Sequence, residues 1–286
     1  MTAVPTDAAA PPASATGLYD RLARALADGV PAATATVVGG EPLGAKLLVL
    51  PDGDVGTLGD GTLDARAAGD ARDILGAARP ASVTRRYPRS GTAGVEVFLE
   101  VFPAPPTLLI VGAVHVAQAL ARFAKQLGFY VIVADARAKL ATAERFPDAD
   151  RIVVAWPDDA LAQVAVGPST HVAILTHDPK FDEPALLGAL ATPAAYIGAV
   201  GSRGTNRDRR HRLLAAGLAP EGLARVRGPI GLDIGAETPE EMAISILAEI
   251  IAVRHGRAGG SLTDADGPIR GARPGDEAGA DAAPPA

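Results

Sequence analysis

The sequence contains no cysteine. Disulfides, thiolate metal sites and cysteine nucleophiles are therefore excluded from it, and a reducing, cytoplasmic setting is favoured. No apolar run approaches the roughly 18 residues needed to span a bilayer, so no membrane partner is expected. The opening MTAVPTDAAAPPASATG has neither a basic start nor the apolar stretch of a secretory signal. Charge of one sign is not in large excess either. The formal net charge is −6, which gives no global electrostatic case for nucleic acid. Glycines are missing where a dinucleotide loop would place them. In LLIVGAVHVAQAL the G-x-G-x-x-G positions are Gly112, Val114 and Ala117.

Apolar residues make up 48% of the 286, enough for one large domain or two ordinary ones. Both ends lack apolar periodicity: 1–16 is rich in Ala, Pro and Thr, and 258–286 in Gly, Ala, Pro and Asp. Such segments bury too little surface to offset their ordering entropy, and unstructured tails are expected. FPAPPT divides the rest, and residues 103–106 read as a stiff linker. Residues 17–102 form a smaller α+β domain. GLYDRLARALADG and DARAAGDARDILGAA read as helices; ATATVV, AKLLVL, ASVTRRY and VEVFLEVF read as strands. In the last strand Val95, Val97, Leu99 and Val101 share a face.

Residues 107–257 change pattern. Apolar strands TLLIVG, YVIVAD, RIVVAW, HVAILT and AAYIGAVGS alternate with helical segments at 114–128, 138–145, 158–165, 181–190 and 204–216. Near-continuous apolar strands separated by helices predict an α/β, Rossmann-type doubly wound parallel sheet. The closing helix, 239–254, opens with a T-x-x-E capping box at Thr238 and Glu241. It is apolar on more than one face, which means deep packing or a homodimer contact.

Open parallel sheets bind ligands at the carboxyl ends of their strands. There stand Gly112 and His115; Asp135 and Arg137; Trp156, Pro157 and Asp158; Thr176, His177 and Asp178, with Asp182 one turn on; and Gly201, Ser202 and Arg203. Asp233 follows between Gly231 and Gly235. His177, Arg203 and Asp233 are expected to share one hollow. Gly112 can make the sharp turn, whereas a β-branched Val114 blocks close approach and disfavours positive φ. Asp135, 23 residues after Gly112, is placed for a ribose, and equally for a helix cap. His177, Asp178 and Asp182 can converge as acid–base groups, with His177 and Asp178 the candidate catalytic pair; the same residues also suit a capped helix start. No second histidine stands near His177, so no metal site is expected. Ser202 and Arg203 at a helix start suit a phosphate. Arg209, Arg210 and Arg212 read as a solvated face. The run GSRGTNRDRRHR lacks interleaved aromatics, against a nucleic-acid partner.

Together LLIVGAVHVAQALARFAKQLGF, VIVADAR, RFPDAD, LTHDPKFDEPALLGAL, YIGAVGSR and GPIGLDIGAETPEEMAISILAEIIA resemble the XdhC/CoxI (CoxF) family, the xanthine dehydrogenase accessory factors, over about 107–255. GAKLLVLPDGDVGTLGDGTLD resembles a shortened form of that family's first domain. The resemblance implies a cytoplasmic chaperone that binds molybdenum cofactor (molybdopterin), protects it during sulfuration and delivers it to a molybdenum hydroxylase client. A cysteine desulfurase is an implied second partner. The family's motif positions correspond to His115, Asp135, Arg137, His177, Asp178, Asp182, Gly201, Ser202, Arg203 and Asp233. Two positions depart from the pattern. Val114 replaces the glycine of G-A-G-H, and Thr62 replaces the cysteine of G-G-G-C-x-E. The alternative is an NAD(P)- or flavin (FAD)-dependent oxidoreductase with His177 as proton carrier.

Overall fold

The computed structural model describes residues 15–76, 81–88, 94–265 and 269. The tails expected to be unstructured lie mostly outside them, although 262–264 form a single 3-10 turn. The chain divides into two compact units, one running to Ala104 and one from Pro105 to Ile269.

The first unit contains α1 (Ala15–Ala27), β1 (Ala32–Gly39), β2 (Lys46–Val49), β3 (Val55–Thr57), α2 (Gly61–Leu75), β4 (Ala81–Tyr87) and β5 (Val95–Phe102). Its strands form an antiparallel sheet in the order β3-β2-β1-β5-β4. Alternation puts Val95, Val97, Leu99 and Val101 on the face covered by Leu63, Ala67, Ala68 and Ala71 of α2. On the other face Leu18 and Ala25 of α1 pack on Ala32, Leu48 and Leu50. Helix α2 starts before the expected segment because Asp60 caps it, accepting from the Thr62 and Leu63 amides.

The second unit contains β6 (Thr107–Val111), α3 (His115–Gln126), β7 (Tyr130–Ala134), β8 (Arg151–Val153), α4 (Pro157–Ala162), β9 (Thr170–Ile174), α5 (Pro179–Leu190), β10 (Tyr196–Ala199), α6 (Arg203–Ala215), α7 (Pro220–Leu223), β11 (Val226–Arg227) and α8 (Pro239–Arg254). All its strands are parallel, in the order β11-β10-β9-β6-β7-β8. The chain enters at β6, winds outward through β7 and β8, then returns beside β6 as β9 and winds the other way. That is the doubly wound order with a switch point between β6 and β9. Helices α3 and α8 cover one face, with Leu120, Ala124, Ile246 and Ile250 against Leu108, Ile110 and Val133. Ala160 and Leu161 of α4, Leu186 of α5 and Leu213 of α6 cover the other.

One local expectation changes. Residues 138–145 form successive turns instead of a helix, closed by Leu140 N–H to Arg137 C=O and Phe146 N–H to Thr142 C=O. Within the segment only Ala141 is buried, too little for a helical face. Helix α8 runs as expected and carries the full capping box between Thr238 and Glu241. Its broad apolar surface is explained by packing against α3, although Ile244 stays half exposed. No described helix is long and apolar enough to cross a membrane.

Candidate functional site

Strands β6 and β9 lie side by side, and helices α3 and α5 leave from their carboxyl ends. The turn after β6 needs glycine twice over. Gly112 has φ +110°, and a Cβ there would stand 2.8 Å from Thr176 Cγ2. Position 114 has no such need. Val114 has φ −88° and ψ 177°, extended backbone that valine adopts without strain, so the expected conflict with positive φ does not arise. Helix α3 starts without a side-chain cap, and its first N–H groups have no intrahelical acceptor. By contrast α5, α6 and α8 are capped by Asp178, Ser202 and Thr238.

Asp135, at the end of β7, is buried. Its Oδ1 accepts from the Arg137 amide at 2.9 Å and Arg137 Nε at 2.9 Å. Its Oδ2 accepts from the Ala113 amide at 2.8 Å and Arg137 Nη2 at 2.8 Å. A carboxylate has about four acceptor positions, and all are used. Burial pushes this carboxyl up, but the bonds from Arg137 and Ala113 prevail and hold it below the usual range. Gly112, Asp135, Arg137 and Thr176 line one small hollow together with Ala155, Pro157 and Phe181. The Thr176 hydroxyl is buried there and has no hydrogen-bond partner among the described residues. Phe181 of this lining stacks on Trp156, which stands outside the hollow, with centroids 4.8 Å apart and planes 11° apart. The Arg137 guanidinium stands 5.9 Å from the Phe181 centroid. The sequence places Trp156 near a strand end without giving it a role, and it gives no such signal for Phe181.

A second hollow at the same edge holds Arg203 and Asp233, with Ile230, Leu232, Met242 and Ser245. The two charges stand 3.5 Å apart with side chains 88% and 89% exposed. The loop bearing Asp233 is fastened from below. Glu249 accepts from the Gly231 amide at 2.9 Å and from the Tyr196 hydroxyl. The Ser245 hydroxyl donates to Leu232 C=O at 2.6 Å. Gly231 has φ +99°, and a Cβ there would meet Ser245 Oγ at 2.4 Å.

The remaining site residues do not join these hollows. His177 is exposed and lines neither, so the expected common hollow of His177, Arg203 and Asp233 is not formed. Asp178 caps α5, accepting from the Lys180 amide at 3.0 Å. Asp182 does not converge with it. It points inward and is buried against Arg209, which is itself buried and not on a solvated face. His115 is exposed at the start of α3. Gly201 has φ +128°, and the Ser202 hydroxyl accepts from the Thr205 amide at 3.0 Å. No group of three metal-ligating His, Asp or Glu side chains occurs among the described residues.

In the first unit, Thr62 lines a surface hollow with Asp60, Leu63, Arg66 and Tyr87. The Asp64 carboxylate accepts from the Leu58 amide at 2.6 Å and the Thr57 hydroxyl at 2.8 Å. These bonds fix the turn that presents Thr62.

A strand order winding both ways from a glycine turn, with polar groups at the carboxyl edge, defines a Rossmann-type domain. The chain matches the family model described as the XdhC Rossmann domain over residues 108–250, and that of the XdhC and CoxI family over residues 25–88. It belongs to the XdhC and CoxI family. It is 33% identical over 228 residues to the uncharacterized protein YqeB of Escherichia coli (strain K12), covering 76% of this chain and 42% of that one. It is 35% identical over 158 residues to a probable xanthine dehydrogenase subunit of Bacillus subtilis (strain 168), covering 55% and 46%. It is 33% identical over 121 residues to the molybdenum cofactor insertion chaperone PaoD of Escherichia coli (strain K12), covering 42% and 37%. The chain thus spans less than half the length of each of these relatives.

Proposed function

We propose that this chain is an accessory factor of molybdenum hydroxylases. It binds the molybdenum cofactor at the carboxyl edge of its parallel sheet and delivers it to an enzyme of the xanthine dehydrogenase or carbon monoxide dehydrogenase type. The observation that carries this reading is the Thr176 hydroxyl, buried and unpartnered at the switch point beside Gly112. A buried hydroxyl without a partner costs about 1–3 kcal/mol, and a ligand oxygen there removes that cost. The uncapped first turn of α3 adds N–H donors suited to a phosphate. Arg203 supplies positive charge at the same edge. Membership of the family and the likeness to PaoD support the choice of ligand.

When bound, the cofactor supplies the molybdenum chemistry of the client. This chain's residues hold it and keep its anionic end out of water. With no cysteine in the sequence, this chain offers no thiol to carry sulfur, and a cysteine desulfurase is part of the same proposal as a second partner. A cytoplasmic setting is part of the same proposal.

The competing reading is an NAD(P)- or flavin-dependent oxidoreductase. Asp135 argues against it, because ribose hydroxyls would meet a carboxylate already saturated by Arg137 and Ala113. His177, its proposed proton carrier, lines neither hollow. Anaerobic equilibrium titration decides between the two. Saturable molybdopterin binding is expected, with no more thermal shift from NAD, NADP or FAD than from adenosine monophosphate. The reverse result overturns the proposal.

A further inference from the structure

Trp156 follows β8 and precedes α4; Phe181 lies in the first turn of α5; Arg137 follows β7. These separate segments meet at the carboxyl edge as a short column, guanidinium and stacked rings. Asp135 holds Arg137 in place with charge-assisted bonds. Trp156 is 51% exposed, with one ring face against Phe181 and the rest in water. Packing does not require it: α4 is anchored by Pro157, Ala160 and Leu161. A half-exposed tryptophan is costly to leave in water and useful for stacking. The neighbouring hollow lined by Phe181 and Arg137 is too small for a two-ring system, so such a ring must lie outside it.

The geometry points to Trp156, backed by Phe181 and Arg137, as the seat of a flat pyrimidine-fused nitrogen ring, of a pterin or a purine, beside the hollow lined by Thr176 and Gly112. The inference rests on reading this edge as the cofactor site. A guanidinium-backed aromatic stack suits an electron-poor ring with polar edges.

Trp156 is the only tryptophan in the sequence, so tryptophan emission of the full chain reports this residue alone. Three probes separate the contributions. Adenosine monophosphate offers a purine and a phosphate, pterin-6-carboxylate a pterin and a carboxylate, and ribose 5-phosphate an anion without a ring. Pterin binding is read by calorimetry, because pterins absorb where tryptophan emits. A ring-bearing probe is expected to bind saturably, adenosine monophosphate quenching Trp156 if purine is the ligand, with ribose 5-phosphate at least about tenfold weaker. Trp156→Ala should weaken the ring-bearing probe about tenfold and leave ribose 5-phosphate unchanged; Trp156→Tyr should restore most of the loss. The preferred probe identifies the source of the ring. The seat is overturned if neither ring-bearing probe binds, if Trp156→Ala binds them as well as the parent chain, or if saturating adenosine monophosphate leaves the emission unmoved. Equal molybdopterin retention by the parent chain and Trp156→Ala overturns the seat and leaves the cofactor reading standing. Probe binding without molybdopterin retention upholds the seat and overturns that reading. Equal melting temperatures establish that the variants fold, and the emission arm uses the parent chain alone.

Discussion

Arg209 grips a single oxygen of Asp182, donating from Nε at 3.1 Å and Nη2 at 2.6 Å, with both residues almost wholly buried. The same guanidinium donates to Val200 C=O at 3.0 Å and to Asn206 Oδ1 at 2.6 Å. It therefore joins α5, the end of β10 and α6, and so holds the turn that presents Gly201, Ser202 and Arg203. Removing one partner leaves the other as an uncompensated buried charge. Arg209→Met is expected to lower unfolding free energy by about 3–5 kcal/mol, and the Asp182→Leu, Arg209→Met pair to recover most of it. Urea unfolding measures both. A double variant as unstable as the single one would mean that this connection stabilises chiefly through Val200 and Asn206.

Arg203 is the opposite case. Its side chain is 88% exposed, and its one ion pair, with Asp233, is equally solvated. Exposed pairs contribute little to stability. Arg203→Ala should keep the melting temperature of the parent and weaken binding of an anionic ligand, by about tenfold if one charge-assisted bond is lost. Calorimetry at two salt concentrations checks it. Unchanged affinity removes Arg203 from the site.

His171 makes stability depend on pH. It is buried at the start of β9, its Nδ1 3.3 Å from Thr107 C=O and its Nε2 unpartnered among the described residues. Its ring meets Phe129 edge-on. Burial, helped by Arg254 and opposed by the Thr107 and Ser169 carbonyls, pushes it down to about 4. In the unfolded chain it titrates near 6.5. Above that value both states are neutral and nothing is lost. As pH falls from 6.5 toward 4 the unfolded chain takes up a proton that the native state refuses, so stability declines. The decline should be about 2 kcal/mol between pH 7 and 5. Urea unfolding at both values tests it, and His171→Leu should flatten this part of the pH dependence.

The doubly wound sheet is legible in the sequence because buried parallel strands leave apolar runs and their helices leave polar and apolar faces. The closing helix is legible to the residue, since Thr238 and Glu241 mark its first turn. Asp182 is not. The four-residue step from Asp178 suggests a shared face, but Asp178 is a cap with extended backbone, φ −92° and ψ 120°, and stands outside the helical repeat. Arg209 is hidden in a run of charges; only Leu213, one turn on and buried with it, hints that this position faces inward. Trp156 comes from the loop before α4 and Phe181 from the first turn of α5, and no local period links them. Gly112 is readable as a turn, but its contact with Thr176 depends on strand order.

That contact predicts the outcome of Gly112→Ala. Alanine at φ +110° is strained whatever the space around it, and here its Cβ would stand 2.8 Å from Thr176 Cγ2 and 3.2 Å from the Leu175 carbonyl carbon. A loss of about 2–4 kcal/mol is expected. Adding Thr176→Ser removes the methyl and should return only part of it, because the backbone strain and the Leu175 contact remain. Full recovery in the double variant would assign the whole cost to the methyl clash.

Val114→Gly tests what excludes a dinucleotide. Valine at 114 already has an ordinary extended conformation, so glycine relieves no strain and adds unfolded-state entropy, costing about 0.5–1 kcal/mol. It does open space above the turn. If the side chain alone kept NAD out, the variant would gain affinity. The structure assigns exclusion to a second feature as well, since Asp135 spends its acceptors on Ala113 and Arg137. Val114→Gly should therefore gain no measurable NAD binding by calorimetry. The further change Arg137→Ala, which frees both carboxylate oxygens of their guanidinium bonds, should be needed before any appears. NAD binding by Val114→Gly alone would show that the Asp135–Arg137 pair yields readily, and the dinucleotide reading would then regain its standing.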